Sequence, residues 1–300
     1  MEWLTKHYQK HNKHTYPDWL EVMTYVEKAY PEEQIDAVWD DIIHHWTDTL
    51  NDEFGPTYRK VETDNFIIIT DFNDDELKEY ISCCEDSLRK ILSSLRNIAY
   101  KYEKEKLVAI IAASQDDYYR YTSHFYPDGE FSLSSGMFIG GGAGHFIFTH
   151  VNHHTNFPVV SHEMTHALVS HLALPKWINE GLATNIEDMM WGSCPLIMDQ
   201  EIAYKHANFW NKDTIQEFWN GHSFSRPDEG SELSYNLAQF LIRKLARSYD
   251  AFTNFCNEAS FEDGGEKSLV ENFGVSPQEL IEPMMGEGNW APKPELWDKD

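Results

Sequence analysis

The strongest constraint on this 300-residue chain is the segment from His162 to His166, which reads H-E-M-T-H. Pro158 can open a helix here, and we expect that helix to run to about Leu172. Its apolar residues recur at helical spacing and form a stripe suited to a core: Val159, Val160, Met164, Ala167 and Leu168. Positions i and i+4 of a helix project from one face, one turn apart. The pattern therefore predicts a core-packed helix that presents two imidazoles side by side.

Two imidazoles in this arrangement can bind a single zinc ion. Glu163 would emerge beside them, close enough to reach water at the metal without being a ligand itself. A carboxylate in that place can take a proton from the water and later pass it to a leaving amine. The string is short, however, and two ordinary helix histidines packed beside a glutamate would read the same way.

A third ligand is needed, because a catalytic zinc usually has three protein ligands and one open position. The segment from Pro175 to Ala183 reads P-K-W-I-N-E-G-L-A and is predicted to lie on the next helix. Glu180 follows His166 by fourteen residues, which leaves room to end one helix, turn, and bring a second helix back across it. The alternative is a solvated helix glutamate. The spacing predicts a site with two histidines and one glutamate.

H-E-x-x-H followed by W-I-N-E-G-L-A resembles the gluzincin metallopeptidases, and most closely the bacterial peptidase MA-like domains. The W-x-N-E-G-x-A string is also similar to that of the M1-family aminopeptidases. The likeness covers about residues 61–245, including a strand near Phe66, the long helix after it, a strand near Val108 and a glycine-rich strand before the motif.

The resemblance implies a zinc-dependent metallopeptidase that hydrolyses peptide bonds in peptide or protein substrates. Zinc would be held by His162, His166 and Glu180, and Glu163 would be the general base for a zinc-activated water. In the family, an upstream strand pairs with the substrate backbone, and residues 140–148 would have that role here.

A downstream tyrosine stabilises the oxyanion in many members of the family, and Tyr235 matches the downstream helix pattern. A half-buried core tyrosine is an equal alternative for this residue. Metal-binding histidines also need an acceptor that fixes their tautomer, for which Glu187, Asn179 and Asp188 are candidates.

The chain departs from the M1-family pattern in two ways, and the first of them argues against aminopeptidase activity. The chain has no G-A-M-E-N string for gripping a free amino terminus, and the interval between His166 and Glu180 is shorter. Four further histidines precede the motif, and they could line a cleft or bind a second metal, although loop histidines are the simpler interpretation: His145, His150, His153 and His154.

Charge and composition limit the classes of partner that this protein is expected to have. The formal net charge is −26, from 24 basic and 50 acidic residues, and this field repels nucleic acid. No signal peptide and no apolar run of membrane-spanning length is recognisable. None of the four cysteines forms a C-x-x-C pair, so we expect reduced thiols. Together these features predict a cytoplasmic protein without membrane partners, and they leave the oligomeric state open.

The expected fold is α+β. Residues 1–55 are predicted to form a small helical segment, and residues 56–300 a zincin-like catalytic domain with a mixed sheet and many helices. Buried strands are expected at 65–70 and 107–112, and residues 136–149 are either a hairpin or one bulged strand. Helices are expected near 74–99, 176–190, 199–209, 214–219, 231–249, 251–259 and 277–285.

Two other classes of function remain possible at this stage. One is a non-catalytic zinc-binding or protein-interaction module that retains the peptidase scaffold, which often would have lost a ligand or the glutamate. The other is an α+β interaction module without metal, for which both motifs would be coincidence. Zinc content separates the last class from the others, and turnover separates the first two.

Overall fold

The computed structural model describes residues 1–102, 105–126 and 135–297. Over these ranges the chain is α+β, with twelve α-helices, a mixed five-stranded sheet and a two-stranded sheet, which confirms the predicted class. Contacts divide it into two compact units. Unit 1 comprises Met1–Arg89 and Lys101–Ala167, and unit 2 comprises Lys90–Tyr100 and Leu168–Asp300. The sequence-based boundary after residue 55 stays a prediction.

Unit 1 contains both sheets. Its strands are β1 Tyr8–His11, β2 His14–Pro17, β3 Arg59–Glu62, β4 Phe66–Thr70, β5 Leu107–Ala112, β6 Gly136–Ile139 and β7 His145–Thr149. Its helices are α1 Trp19–Ala29, α2 Glu32–Phe54, α3 Asp74–Ser94, α4 Gln115–Thr122 and α5 His153–Val169, and the last residues of α3 and α5 are counted with unit 2.

The five-stranded sheet has the order β3-β4-β5-β7-β6. The three central strands run parallel, and β3 and β6 pair antiparallel at the two ends. Every residue of β4 and β7 is buried, as is nearly all of β5. Strands covered on both faces are continuously apolar, which is why these runs were recognisable in the sequence. The strands expected at 65–70 and 107–112 are confirmed.

Residues 136–149 form a hairpin, so the first of the two sequence-based alternatives is confirmed. Gly136 pairs with Phe148, and Ile139 pairs with His145. The chain reverses between the strands through Gly141 and Gly142, whose φ angles are 102° and 55°. Glycine adopts positive φ at little steric cost, so this stretch favours a turn over a bulge in one long strand.

The N-terminal segment is not wholly helical, which corrects the prediction for residues 1–55. β1 and β2 form an antiparallel hairpin ahead of α1 and α2. Asn12 and Lys13 form its two-residue turn, with φ angles of 47° and 85°. Positive φ at both central positions is the geometry that suits tight hairpins. The sequence signal is weak because lysine, rather than glycine, follows the asparagine.

Unit 2 is helical in its described part. Its elements are α6 Lys176–Trp191, α7 Gln200–Phe209, α8 Thr214–Asn220, α9 Glu229–Leu245, α10 Tyr249–Glu258, α11 Glu266–Phe273 and α12 Pro277–Met285. All six helices expected here are present, and α11 was not predicted. Trp177 is buried beside Trp219 and Phe255, and its Nε1 donates to the Gly264 carbonyl at 2.9 Å. The tryptophan of the W-I-N-E-G-L-A string therefore anchors the start of α6 in an aromatic core.

Short 3₁₀ helices complete the fold, at Leu4–His7, His222–Ser225, Phe261–Asp263 and Pro294–Leu296. Within the described ranges, no helix combines the length and the apolar character needed to cross a membrane.

Candidate metal centre

The two motif histidines lie one turn apart on α5. The ring centroids of His162 and His166 are 4.8 Å apart and the rings stand nearly edge-on, at 81°. This is the side-by-side arrangement expected from an i, i+4 pair. Of the predicted apolar stripe, Val160, Met164 and Leu168 are fully buried, whereas Val159 and Ala167 are partly exposed.

Helix α5 begins earlier than the sequence suggested. It starts at His153 and ends at Val169, with Pro158 inside it, so the prediction that Pro158 opens the helix is wrong. The side chain of Asn152 accepts a hydrogen bond from the Thr155 amide at 3.0 Å. That bond satisfies one of the free amides of a helix start, which places the beginning more than a turn before the proline.

Asn156 fixes the junction between β7 and α5. It is fully buried, and its Nδ2 donates to the Thr149 carbonyl at 2.8 Å. Its Oδ1 accepts from the Val151 amide at 2.8 Å and from the Tyr80 hydroxyl at 3.0 Å. Oδ1 also accepts from the Asn152 amide at 3.2 Å. A buried amide with these four partners sets where α5 leaves the sheet. No sequence signal points to Asn156, because a lone asparagine beside a helix start carries no distinctive pattern.

Glu180, near the start of α6, completes a set of three potential ligands. His162, His166 and Glu180 can each offer one ligand atom, and these atoms lie within 4.8 Å of one another. In the described part of the chain this is the only group of three or more histidine, cysteine, aspartate or glutamate residues with that property. All three side chains are partly exposed. Two imidazole nitrogens and one carboxylate oxygen are a donor set that fits zinc.

The glycine after Glu180 is required by helix packing. Helix α6 packs on α9, and a Cβ placed on Gly181 would lie 2.8 Å from the Ala238 carbonyl oxygen and 2.6 Å from Ile242 Cγ1. The backbone of α9 therefore occupies the space of a side chain. The close approach of the two helices holds the part of α6 that carries Glu180.

We expect Gly181→Ala to lower the free energy of unfolding by about 1–3 kcal/mol, because the added methyl group overpacks this contact. Urea unfolding followed by circular dichroism measures the change. In an Ile242→Ala background the side-chain collision is removed but the backbone one remains, so Gly181→Ala should cost less there than in the wild type, but more than nothing. Full stability of Gly181→Ala alone would show that α6 and α9 separate without cost.

Glu163, the predicted general base, is only 8% exposed. It lies on α5 in the turn between the two histidines, and its side chain lies against Gly136, the first residue of β6. The carboxylate is thus held at the end of a strand instead of projecting into solvent.

Tyr235 lies on α9 and is half-buried. Its ring meets that of Phe224 edge-on, with centroids 5.2 Å apart. Its part in stabilising an oxyanion stays a prediction.

Two of the candidate tautomer-fixing acceptors have partners of their own: Asp188 binds Arg243 at 2.7 Å, and Glu187 accepts from the Ser193 hydroxyl at 2.9 Å. Asn179 lies on α6 immediately before Glu180 and is partly exposed.

The histidines upstream of the motif do not share one environment. His145 is not a loop residue, as the simpler interpretation had it, but is buried at the start of β7. Burial lowers its pKa to about 4, so its ring is neutral. Its Nδ1 donates to the Ala143 carbonyl at 2.9 Å, and its Nε2 accepts from the Tyr121 hydroxyl at 2.7 Å. Both nitrogens are engaged inside the core.

Of the other three, His150 alone lies outside the helices and strands, because His153 and His154 are the first two residues of α5, which corrects the loop interpretation for them as well. His150 follows β7 and bonds the Tyr80 hydroxyl at 3.2 Å. His153 pairs with Glu79 at 2.8 Å, and His154 is exposed on the first turn of α5.

The prediction that residues 140–148 pair with substrate is wrong. β7 is hydrogen-bonded to β5 on one side and to β6 on the other, so it has no free edge. β6 is the outermost strand at this end of the sheet within the described ranges. The glycine turn reverses the chain and places the earlier strand, Gly136–Ile139, outside the later one.

Comparisons with known proteins returned no match: no protein-family model, no curated protein and no solved structure matches the chain. The gluzincin resemblance accordingly stays a prediction that rests on the two motifs. What the structure adds is the convergence of His162, His166 and Glu180, together with a buried carboxylate on the same helix turn.

Proposed function

We propose that this protein is a zinc-dependent metallopeptidase of the gluzincin type. The observation that carries the proposal is the convergence of three ligand atoms from two separate motifs to within 4.8 Å. His162 and His166 are paired by helix geometry alone, but Glu180 belongs to another helix and nothing local brings it there. A donor set of two histidines and one glutamate is that of known catalytic zinc sites in peptidases.

Each residue then has a separate task. His162, His166 and Glu180 hold the metal, which when bound supplies Lewis-acid chemistry. Glu163 accepts a proton from the attacking water and delivers it to the amine that leaves. Because its carboxylate is nearly buried, it meets little competing solvent. Tyr235 is the proposed donor to the oxyanion.

The sheet supports a peptide as substrate. β6 is the outermost described strand, and its first residue touches Glu163. An extended peptide that pairs with an outer strand gains backbone hydrogen bonds without needing a particular sequence. β6 thus takes the place that the sequence analysis gave to residues 140–148, and it would lay a peptide bond near the general base.

Metal content and peptide cleavage test the proposal together. The purified protein is incubated with zinc, freed of excess metal, and assayed by atomic spectrometry and against a peptide library and an unfolded protein. We expect about one zinc per chain, and cleavage that a chelator abolishes and zinc restores. Zinc without cleavage would support the non-catalytic module instead. Absence of both would leave the two motifs as coincidence.

A further inference from the structure

The first residue of β6 has no room for a side chain. A Cβ placed on Gly136 would lie 2.3 Å from Val159 Cγ1, a distance that real Cβ atoms do not adopt. It would also lie 3.2 Å from both Cγ and Oε1 of Glu163. The φ angle of Gly136 is not in the positive region, so backbone conformation does not require glycine here. The requirement is one of space.

Both neighbours of Gly136 come from one face of α5. Val159 and Glu163 are four residues apart, so they lie one above the other on the helix. The strand backbone therefore rests on the side chain that carries the carboxylate. Glu163 is 8% exposed, whereas the neighbouring His162 and His166 are partly exposed. The glutamate is therefore more buried than the two histidines that flank it.

We propose that Gly136 is a positioning residue for Glu163, and this rests on the proposed function. Its missing side chain lets the backbone of β6 close on α5 and limits the rotamers open to the carboxylate. A base held in one orientation loses less freedom when it meets its water, and small displacements of such groups cost large factors in rate.

Gly136→Ala tests this directly. The three atoms nearest to the methyl group belong to Val159 and Glu163 and not to a proposed ligand, so Glu163 should be displaced while zinc content stays unchanged. We expect kcat to fall about ten- to a hundred-fold with little change in KM. Gly140→Ala is the matched control in the same hairpin. Its Cβ would meet only the Phe138 ring, with the nearest atom at an ordinary 3.4 Å. It should retain wild-type kcat.

A double variant separates positioning from packing. Gly136→Ala with Val159→Ala removes the 2.3 Å collision but keeps the contact with Glu163 at 3.2 Å. Positioning predicts that stability against urea recovers while kcat stays low. If kcat recovers with stability, Gly136 serves packing alone and the proposal is overturned. The Val159→Ala single variant measures what the loss of the valine side chain alone does to stability and kcat, and the double variant is compared with it.

A measurement without turnover keeps this test independent of the proposed function. The side-chain carboxyl resonance of Glu163, assigned through its absence in Glu163→Gln, is recorded by carbon-13 NMR in zinc-free protein. It should shift in Gly136→Ala and not in Gly140→Ala. An unchanged resonance in Gly136→Ala would overturn the positioning role even in a protein that cleaves peptides. A shift in a protein that cleaves no peptide would support the contact between residue 136 and Glu163. It would contradict only the proposed peptidase function.

Discussion

Glu163→Gln is expected to lower peptide hydrolysis by at least about a hundred-fold while the bound zinc stays at the wild-type amount. Glutamine keeps the shape of the side chain but has no carboxylate to accept a proton. The proposed ligands His162, His166 and Glu180 are unchanged by the substitution, so their convergence should persist. The loss should fall on kcat, because the proton transfer belongs to the chemical step.

The matched measurement compares zinc content and steady-state rates in Glu163→Gln and in Glu201→Gln. Glu201 is an exposed glutamate on α7, and its replacement should change neither quantity. Hydrolysis at the wild-type rate in the zinc-loaded Glu163→Gln protein would contradict the assignment of the general base. Loss of zinc together with activity would show that Glu163 supports the site instead of acting on water.

His166→Ala is expected to remove both zinc and hydrolysis. It deletes one of the three proposed ligands, and His162 with Glu180 is too small a set for a stable catalytic zinc site. The expected loss of zinc affinity exceeds the roughly 10- to 100-fold that is lost in zinc enzymes when a residue hydrogen-bonded to a ligand is replaced. Competition with a chelating dye measures the affinity, and atomic spectrometry measures the metal retained after dialysis.

His154→Ala is the control for this variant, because His154 is an exposed histidine on the first turn of the same helix. It should keep full zinc content. Circular dichroism of His166→Ala beside zinc-free wild type distinguishes a lost ligand from a lost fold. Retention of about one zinc per chain by His166→Ala would remove His166 from the site. His162→Ala should behave as His166→Ala does.

Much of the fold was predictable because it depends on local pattern. The β4 and β5 runs are continuously apolar since both faces are covered, and the helices of unit 2 show the helical period of apolar residues. The pairing of His162 with His166 follows from the pitch of any helix. Glu180 was predicted from spacing and from a family resemblance, and the structure places it with the two histidines.

The failures have two causes: two arise from local signals that are weak or ambiguous, and one arises from a neighbour distant in the chain. Pro158 seemed to begin a helix because its ring suits that position, but the side chain of Asn152 starts it earlier. The hairpin at Asn12 and Lys13 lacks the glycine that would have indicated a turn in the sequence. His145 has the sequence context of a loop histidine, but it lies in the core and accepts a hydrogen bond from Tyr121, 24 residues away along the chain.

The sequence by itself determined the elements that carry the candidate site: a helix with two histidines and a glutamate, a second helix with Glu180, and buried strands leading to them. Only the tertiary structure decided that β6, and not β7, is the outer strand, and that Gly136 has no space for a side chain. The physical reason is the distance along the chain over which each effect acts. Helix pitch and strand alternation act within a few residues, whereas strand order and close packing arise only when distant segments compete for the same space.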